Sequence, residues 1–171
     1  MKKLLLIPAL ILMSSCNGED LEPYDPVAQL EIDLNLIDEH LSGIGEPVVI
    51  HSSGIRYSIE NIGDGNYPVD GDSVATLYEI YTLDGQLIDT TDEDLARANG
   101  IYSTSRNYQP FEYKVGDGTV IDGYVIGTQL LNEGANGTFY VPSTLAYRNM
   151  SHLGLDPNEI LRIKIQVEEI F

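Results

Sequence analysis

Two long runs of strict alternation constrain the fold of this chain more than any other feature. The closing segment ILRIKIQVEEIF sets Ile163, Ile165 and Val167 against Arg162, Lys164 and Gln166. Strand side chains point to opposite faces in turn, so this segment is a strand with one face in a core and one in water. Residues 73–83, SVATLYEIYTL, place Val74, Thr76, Tyr78 and Ile80 on one side in the same way. Asp84-Gly85 follows as a hairpin signal leading into Leu87-Ile88. Shorter runs at 48–51, 55–62, 111–115 and 137–141 read as further strands, and Asp64-Gly65-Asn66 as a turn. VIDGYVIGTQLL, residues 120–131, is a short apolar helix despite two glycines. Residues 92–109 are polar, show no clear period and read as a long insertion with one helical turn. Strands joined by hairpins around one central short helix make an antiparallel α+β domain.

A second helix is expected ahead of the sheet. In residues 28–41, AQLEIDLNLIDEHL, Leu30, Leu34, Ile37 and Leu41 follow the i, i+4, i+7, i+11 spacing of one face. Gly43, Gly45 and Pro47 end it. Its acids argue against membrane insertion, so it is an amphipathic helix lying on the domain or linking it to a tether. Upstream, Lys2 and Lys3 precede an apolar run from Leu4 to Met13, too short to span a bilayer, and Ser14-Ser15 lead into Cys16, the only cysteine. This order resembles the bacterial lipoprotein signal. The resemblance implies removal of residues 1–15, a lipid on Cys16, anchoring in the cell envelope at the outer membrane, and an acidic tether over 16–27. Residues 28–53 are then the helix and a connecting strand, and 54–171 the sheet domain.

Charge excludes several functions. The chain of 171 residues has 9 basic and 27 acidic side chains, net −18. Losing residues 1–15 removes two lysines and no acid, leaving −20. Nucleic acid is a poor partner for such a surface, and self-repulsion favours a monomer. One cysteine cannot form an internal disulfide, and no Cys/His spacing resembles a zinc site. Asp89, Asp92, Glu93 and Asp94 lack the spacing and glycine of a calcium loop and read as a solvated acidic loop, so no metal is expected. There is no G-x-S-x-G, no phosphate-binding glycine loop, and His40, His51 and His152 lie far apart.

What remains is PFEYKVGDGTVIDGYVIGTQLLNEGANGTFYVPSTLAY, residues 110–147. With Gly54-Ile55-Arg56-Tyr57, Leu77-Tyr78, Leu83-Asp84-Gly85, Ile88-Asp89 and the strand from Pro157 to Val167, these pieces fall in the order of the FKBP-type peptidyl-prolyl cis-trans isomerase family, which residues 54–171 resemble. The resemblance implies an antiparallel sheet of about five to six strands wrapped around the central helix, and an apolar aromatic bowl that binds prolyl-containing polypeptides and isomerises the prolyl bond without a cofactor. Tyr78, Ile88, Phe111, Tyr113, Val120, Ile121, Tyr124, Leu155 and Ile163 match its substrate-binding positions, and Asp89 and Tyr147 its catalytic ones. Tyr147 would bond a substrate carbonyl. Ile88 stands where the family has Phe, Tyr124 where Trp is commonest, and Arg148 where Gly is usual, so that turn is expected to differ. Two further readings follow from these departures: a non-catalytic peptide-binding chaperone, and an accessory lipoprotein of a surface assembly docking through 28–41 or 92–109.

Overall fold

In the computed structural model, which describes residues 23–171, the two alternating runs lie side by side. They are β3 (Ser73–Thr82) and β7 (Leu161–Ile170), paired antiparallel with Tyr78 opposite Ile165 and Ile80 opposite Ile163. Around them stand β1 (Val49–Ile50), β2 (Arg56–Asn61), β4 (Leu87–Thr90), β5 (Phe111–Lys114) and β6 (Asn136–Val141). The order is β1-β2-β6-β7-β3-β4, with β5 sharing the free side of β3. The sheet therefore has seven strands. Two of the seven, β4 and β5, occupy different halves of one edge, both beside β3. β5 pairs with Ser73–Thr76 and β4 with Glu79–Tyr81.

One face of this sheet wraps the helix α3 (Asp122–Gln129). Leu161, Ile163, Ile165 and Val167 are all buried there with Val74, Ile80, Phe139 and Tyr124. The two glycines in the helix are what allow this contact. A Cβ on Gly123 would sit 2.2 Å from Val141 Cγ1, and one on Gly127 3.0 Å from Ile165 Cδ1. Helix propensity is given up so that the backbone can approach the strands.

On the other face lies α1 (Pro26–Ile44). It starts two residues earlier than its periodicity predicts, because Asp25 accepts from Val27 N at 2.9 Å and Ala28 N at 3.2 Å, and Pro26 suits the first turn. It runs on to Ile44, where Gly45, at φ 69°, returns its N–H to the Leu41 carbonyl at 2.9 Å. Ile37 and Leu41 pack with Tyr140 and Ile160 in a second small core. Phe139 and Tyr140 are thus buried on opposite faces of β6. Arg56 at the start of β2 clamps the helix: its Nε and Nη2 donate to Asp38 Oδ1 and Oδ2 at 2.8 and 2.7 Å. Residues 1–15 and Cys16, on which the signal and lipid expectations rest, lie outside the described residues, as does most of the tether. Among the described residues no helix is long and apolar enough to cross a membrane.

Candidate active site

β3 and β5 carry aromatic side chains toward α3, and the rings meet. Tyr78 stands edge-to-face with Phe111 and with Tyr124, at centroid distances of 5.9 and 5.8 Å. Phe111 stacks on Tyr113 at 5.6 Å, and Tyr113 meets Tyr124 at 5.7 Å. Edge-to-face pairs set a positive ring edge against a negative ring face, which orients the rings as well as burying them. Tyr124 lies deepest, and its hydroxyl shares a 2.7 Å hydrogen bond with Thr76 Oγ1. Phe111 is the exposed ring, 37% accessible.

Tyr78 also anchors a polar group. Its hydroxyl donates to Asp89 Oδ2 at 2.7 Å. Arg106 Nη2 donates to the same phenol oxygen at 2.6 Å, while Nη1 pairs with Asp89 Oδ1. Burial, then the bond to Asp89 and its negative charge, push the Tyr78 phenol up to about 12. Tyr147 is half-buried, with its ring stacked on His152 at 4.1 Å, and burial followed by the charge of Asp89 raises its pKa too. Both phenols therefore stay protonated and able to donate near neutral pH.

The sequence-predicted residues divide by depth. Tyr78, Ile88, Val120, Ile121 and Tyr147 are half-buried at the margin of the main core. Tyr113, Tyr124, Leu155 and Ile163 are buried within it. Ile163 has no exposed surface and Leu155 only 3%, so these two support the site from beneath rather than presenting an open wall. Ile88 and Leu155 also border a cavity of about 420 Å³ shared with His40, Asp84 and Glu159. A second cavity, of about 260 Å³, runs past Arg106, Pro110 and Phe111. A groove of about 410 Å³ opens among Glu60, Glu79, Lys164 and Gln166 and reaches Tyr78 and Ile165.

Sequence reasoning missed Arg106, Thr76 and His152. Arg106 sits in the segment read as an aperiodic insertion. That segment has its own structure: α2 (Glu93–Ala98) carries Arg97 3.4 Å over the Tyr102 ring, and Tyr102 stacks on Tyr108. The one usable signal was scarcity, since Arg97 and Arg106 are the only cations between residues 92 and 109. The neighbouring acids have separate structural tasks. Asp92 caps α2 through Leu95 N at 2.9 Å, Glu93 pairs with Arg97, and Asp89 serves Tyr78. Among the described residues no group of three or more His, Cys, Asp or Glu side chains could hold a metal ion. Arg148 has φ 57°, a conformation that favours glycine, so the turn keeps the glycine-like backbone despite the substitution.

The same arrangement of strands and helix occurs in known proteins. The crystal structure of FkpA from Escherichia coli superposes with a TM-score of 0.62 at 23% identity, covering 84% of this chain and 63% of that one. A peptidyl-prolyl cis-trans isomerase from Pseudomonas syringae superposes with a TM-score of 0.63 at 22% identity, covering 86% and 97%. At these identities the likeness concerns the fold. In sequence, the chain is 36% identical over 120 residues to a probable FKBP-type peptidyl-prolyl cis-trans isomerase FkpA of Neisseria meningitidis, over 70% of this chain and 39% of that protein. It is 31% identical over 121 residues to the outer membrane protein MIP of Legionella longbeachae, over 70% and 46%. The chain thus spans less than half the length of these relatives. A family model for the FKBP-type peptidyl-prolyl cis-trans isomerase matches residues 65–168, which hold β3 to β6, most of β7, α3 and every ring of the cluster. The chain belongs to the FKBP-type peptidyl-prolyl cis-trans isomerase family.

Proposed function

We propose that this chain accelerates cis/trans exchange of X–Pro bonds in exported polypeptides. The observation that carries the reading is the cluster of Tyr78, Phe111, Tyr113 and Tyr124 in edge-to-face and stacked contact. Rotation about an amide is resisted by resonance, with a barrier of ~18–20 kcal/mol. Resonance puts negative charge on the carbonyl oxygen, and water favours that polar planar form. An aromatic surface excludes water, and so favours the twisted, less polar transition state. Tyr147 donates from its protonated phenol to a substrate carbonyl and fixes its orientation. Asp89 and Arg106 hold the Tyr78 ring, and Phe111, Val120, Ile121 and Ile88 contact the pyrrolidine and its neighbours. The chemistry calls for no cofactor.

The place of action in this reading is the cell envelope, where lipid on Cys16 holds the chain at the membrane, as a monomer kept apart from its copies by its negative charge. It is supported by the basic, apolar, small-residue and cysteine order of residues 1–16. Replacing Cys16 by Ser is expected to move the protein from the membrane to the soluble fraction; unchanged fractionation would refute the anchor.

The enzymatic reading is tested with an Ala-Leu-Pro-Phe peptide in a protease-uncoupled exchange assay. The folded chain is expected to speed exchange, and the pair Tyr147→Phe and Ile121→Ala to abolish that effect. A folded chain that leaves the exchange rate at background would end the proposal.

A further inference from the structure

Asp33 is the most completely buried carboxylate of α1, with no exposed surface, and its helix lies outside the residues matched by the family model. A carboxylate out of water costs several kcal/mol unless donors replace its hydration. Here three donors do so. Gln29 Nε2 donates to Oδ1 at 2.7 Å, and Ser143 donates to Oδ2 twice, from its backbone N at 2.8 Å and its Oγ at 2.6 Å. Ser143 is itself buried and opens the 3₁₀ turn Ser143–Leu145 that follows β6. Its carbonyl accepts from Ala146 N and Arg148 N, both at 2.9 Å, on either side of Tyr147. Arg148 holds its positive φ within this same turn, and its carbonyl accepts from Asn158 N at 2.7 Å. A left-handed backbone at a residue with a side chain persists only where its surroundings over-determine it. The chain of bonds from Asp33 to Ser143 to residues 146 and 148 is such a constraint, and Tyr147 is enclosed by it.

We propose that Asp33 is a positioning residue: through Ser143, it sets the turn that presents Tyr147 to the substrate. The proposal rests on the reading of Tyr147 as the donor to a substrate carbonyl. Its physical basis is charge-assisted bonding. A carboxylate can accept from the Ser143 N–H, its hydroxyl and Gln29 together. An asparagine amide at this site would have to turn an N–H₂ group toward one of those donors. Asp33 would thereby couple a helix beyond the matched domain to the site it faces from behind.

The test uses the full chain with Asp33→Asn, Ser143→Ala as a second route to the same break, and Asp38→Asn as a control. Asp38 ties α1 to β2 without touching Ser143. Asp33→Asn and Ser143→Ala are expected to lower kcat/KM about tenfold, chiefly through kcat, and to shift the NMR resonances of Tyr147 and Arg148. Asp38→Asn should lower Tm with those resonances and kcat/KM unchanged. Adding Asp33→Asn to Tyr147→Phe should cost less than about twofold, because the group it positions is gone. Unshifted Tyr147 resonances in both Asp33→Asn and Ser143→Ala would overturn the proposal, as would an equal loss of activity with and without the Tyr147 hydroxyl. Shifted resonances, with Tyr147→Phe as active as the parent, would instead leave Asp33 as the residue that sets the turn and refute the role assigned to Tyr147.

Discussion

Phe139 and Tyr140 are neighbours on β6, both buried, and face opposite worlds. On the Phe139 side, the sheet meets α3 through apolar contact so close that Gly123 and Gly127 leave no room for a side chain. On the Tyr140 side, α1 adds a small apolar patch, Ile37 and Leu41 with Ile160, sets Leu30 and Leu34 over Gly54, and is tied down by polar bonds. Asp38 grips Arg56, Glu46 accepts from the Tyr140 hydroxyl at 2.8 Å, and Asp33 holds Ser143. The first side is secured by area removed from water, which is strong and non-directional. The second is secured by charge-assisted bonds, which contribute less each but fix register and direction. One face of the sheet supplies stability, and the other supplies alignment.

Changes on the apolar side should be the most damaging. Phe139→Ala is expected to cost about 3–5 kcal/mol, read as a lower urea midpoint. A loss below about 1 kcal/mol would mean that the α3 side is not the dominant core. On the polar side, Asp38→Ala leaves the Arg56 guanidinium, 7% exposed, without its partner. Its cost should be about 1.5–3 kcal/mol, again from the urea midpoint; parity with Phe139→Ala would erase the distinction between the faces. Tyr147→Phe should separate function from stability altogether. It removes a half-buried hydroxyl at the margin of the core, so stability should change by less than about 1 kcal/mol while kcat/KM for a prolyl peptide falls about tenfold or more.

A further effect is expected at alkaline pH. Burial, with the bonded Asp89, raises Tyr78 from 10.0 to about 12, and burial, with Glu46, raises Tyr140 to about 12. The folded state favours the protonated phenols. Their contribution is therefore fully present below pH 10 and is lost as pH rises through about 12. Tyr78→Phe should flatten this loss only in part, since Tyr140 on the other face still titrates. A flat stability profile between pH 10 and 12 in the parent would contradict both shifts.

The ring cluster was legible through the family resemblance and because most of its members ride on strands. Alternation put Tyr78, Phe111 and Tyr113 on inward faces, and the apolar run 120–131 brought Tyr124 opposite them. The polar part was not. Arg106 reaches the Tyr78 hydroxyl across 28 residues, and Ser143 reaches Asp33 across 110. Neither pairing leaves a local period, and Asp33 sits in a segment where every acid reads as solvated.

Alone, the order of residues determined which segments are strands and helices and which faces turn inward, because side-chain direction follows from a backbone period of two or 3.6. Only the tertiary structure decided which of 27 acids lose their water. A carboxylate can be buried only where the fold delivers donors to it, and for Asp33 those include Ser143, from a distant turn.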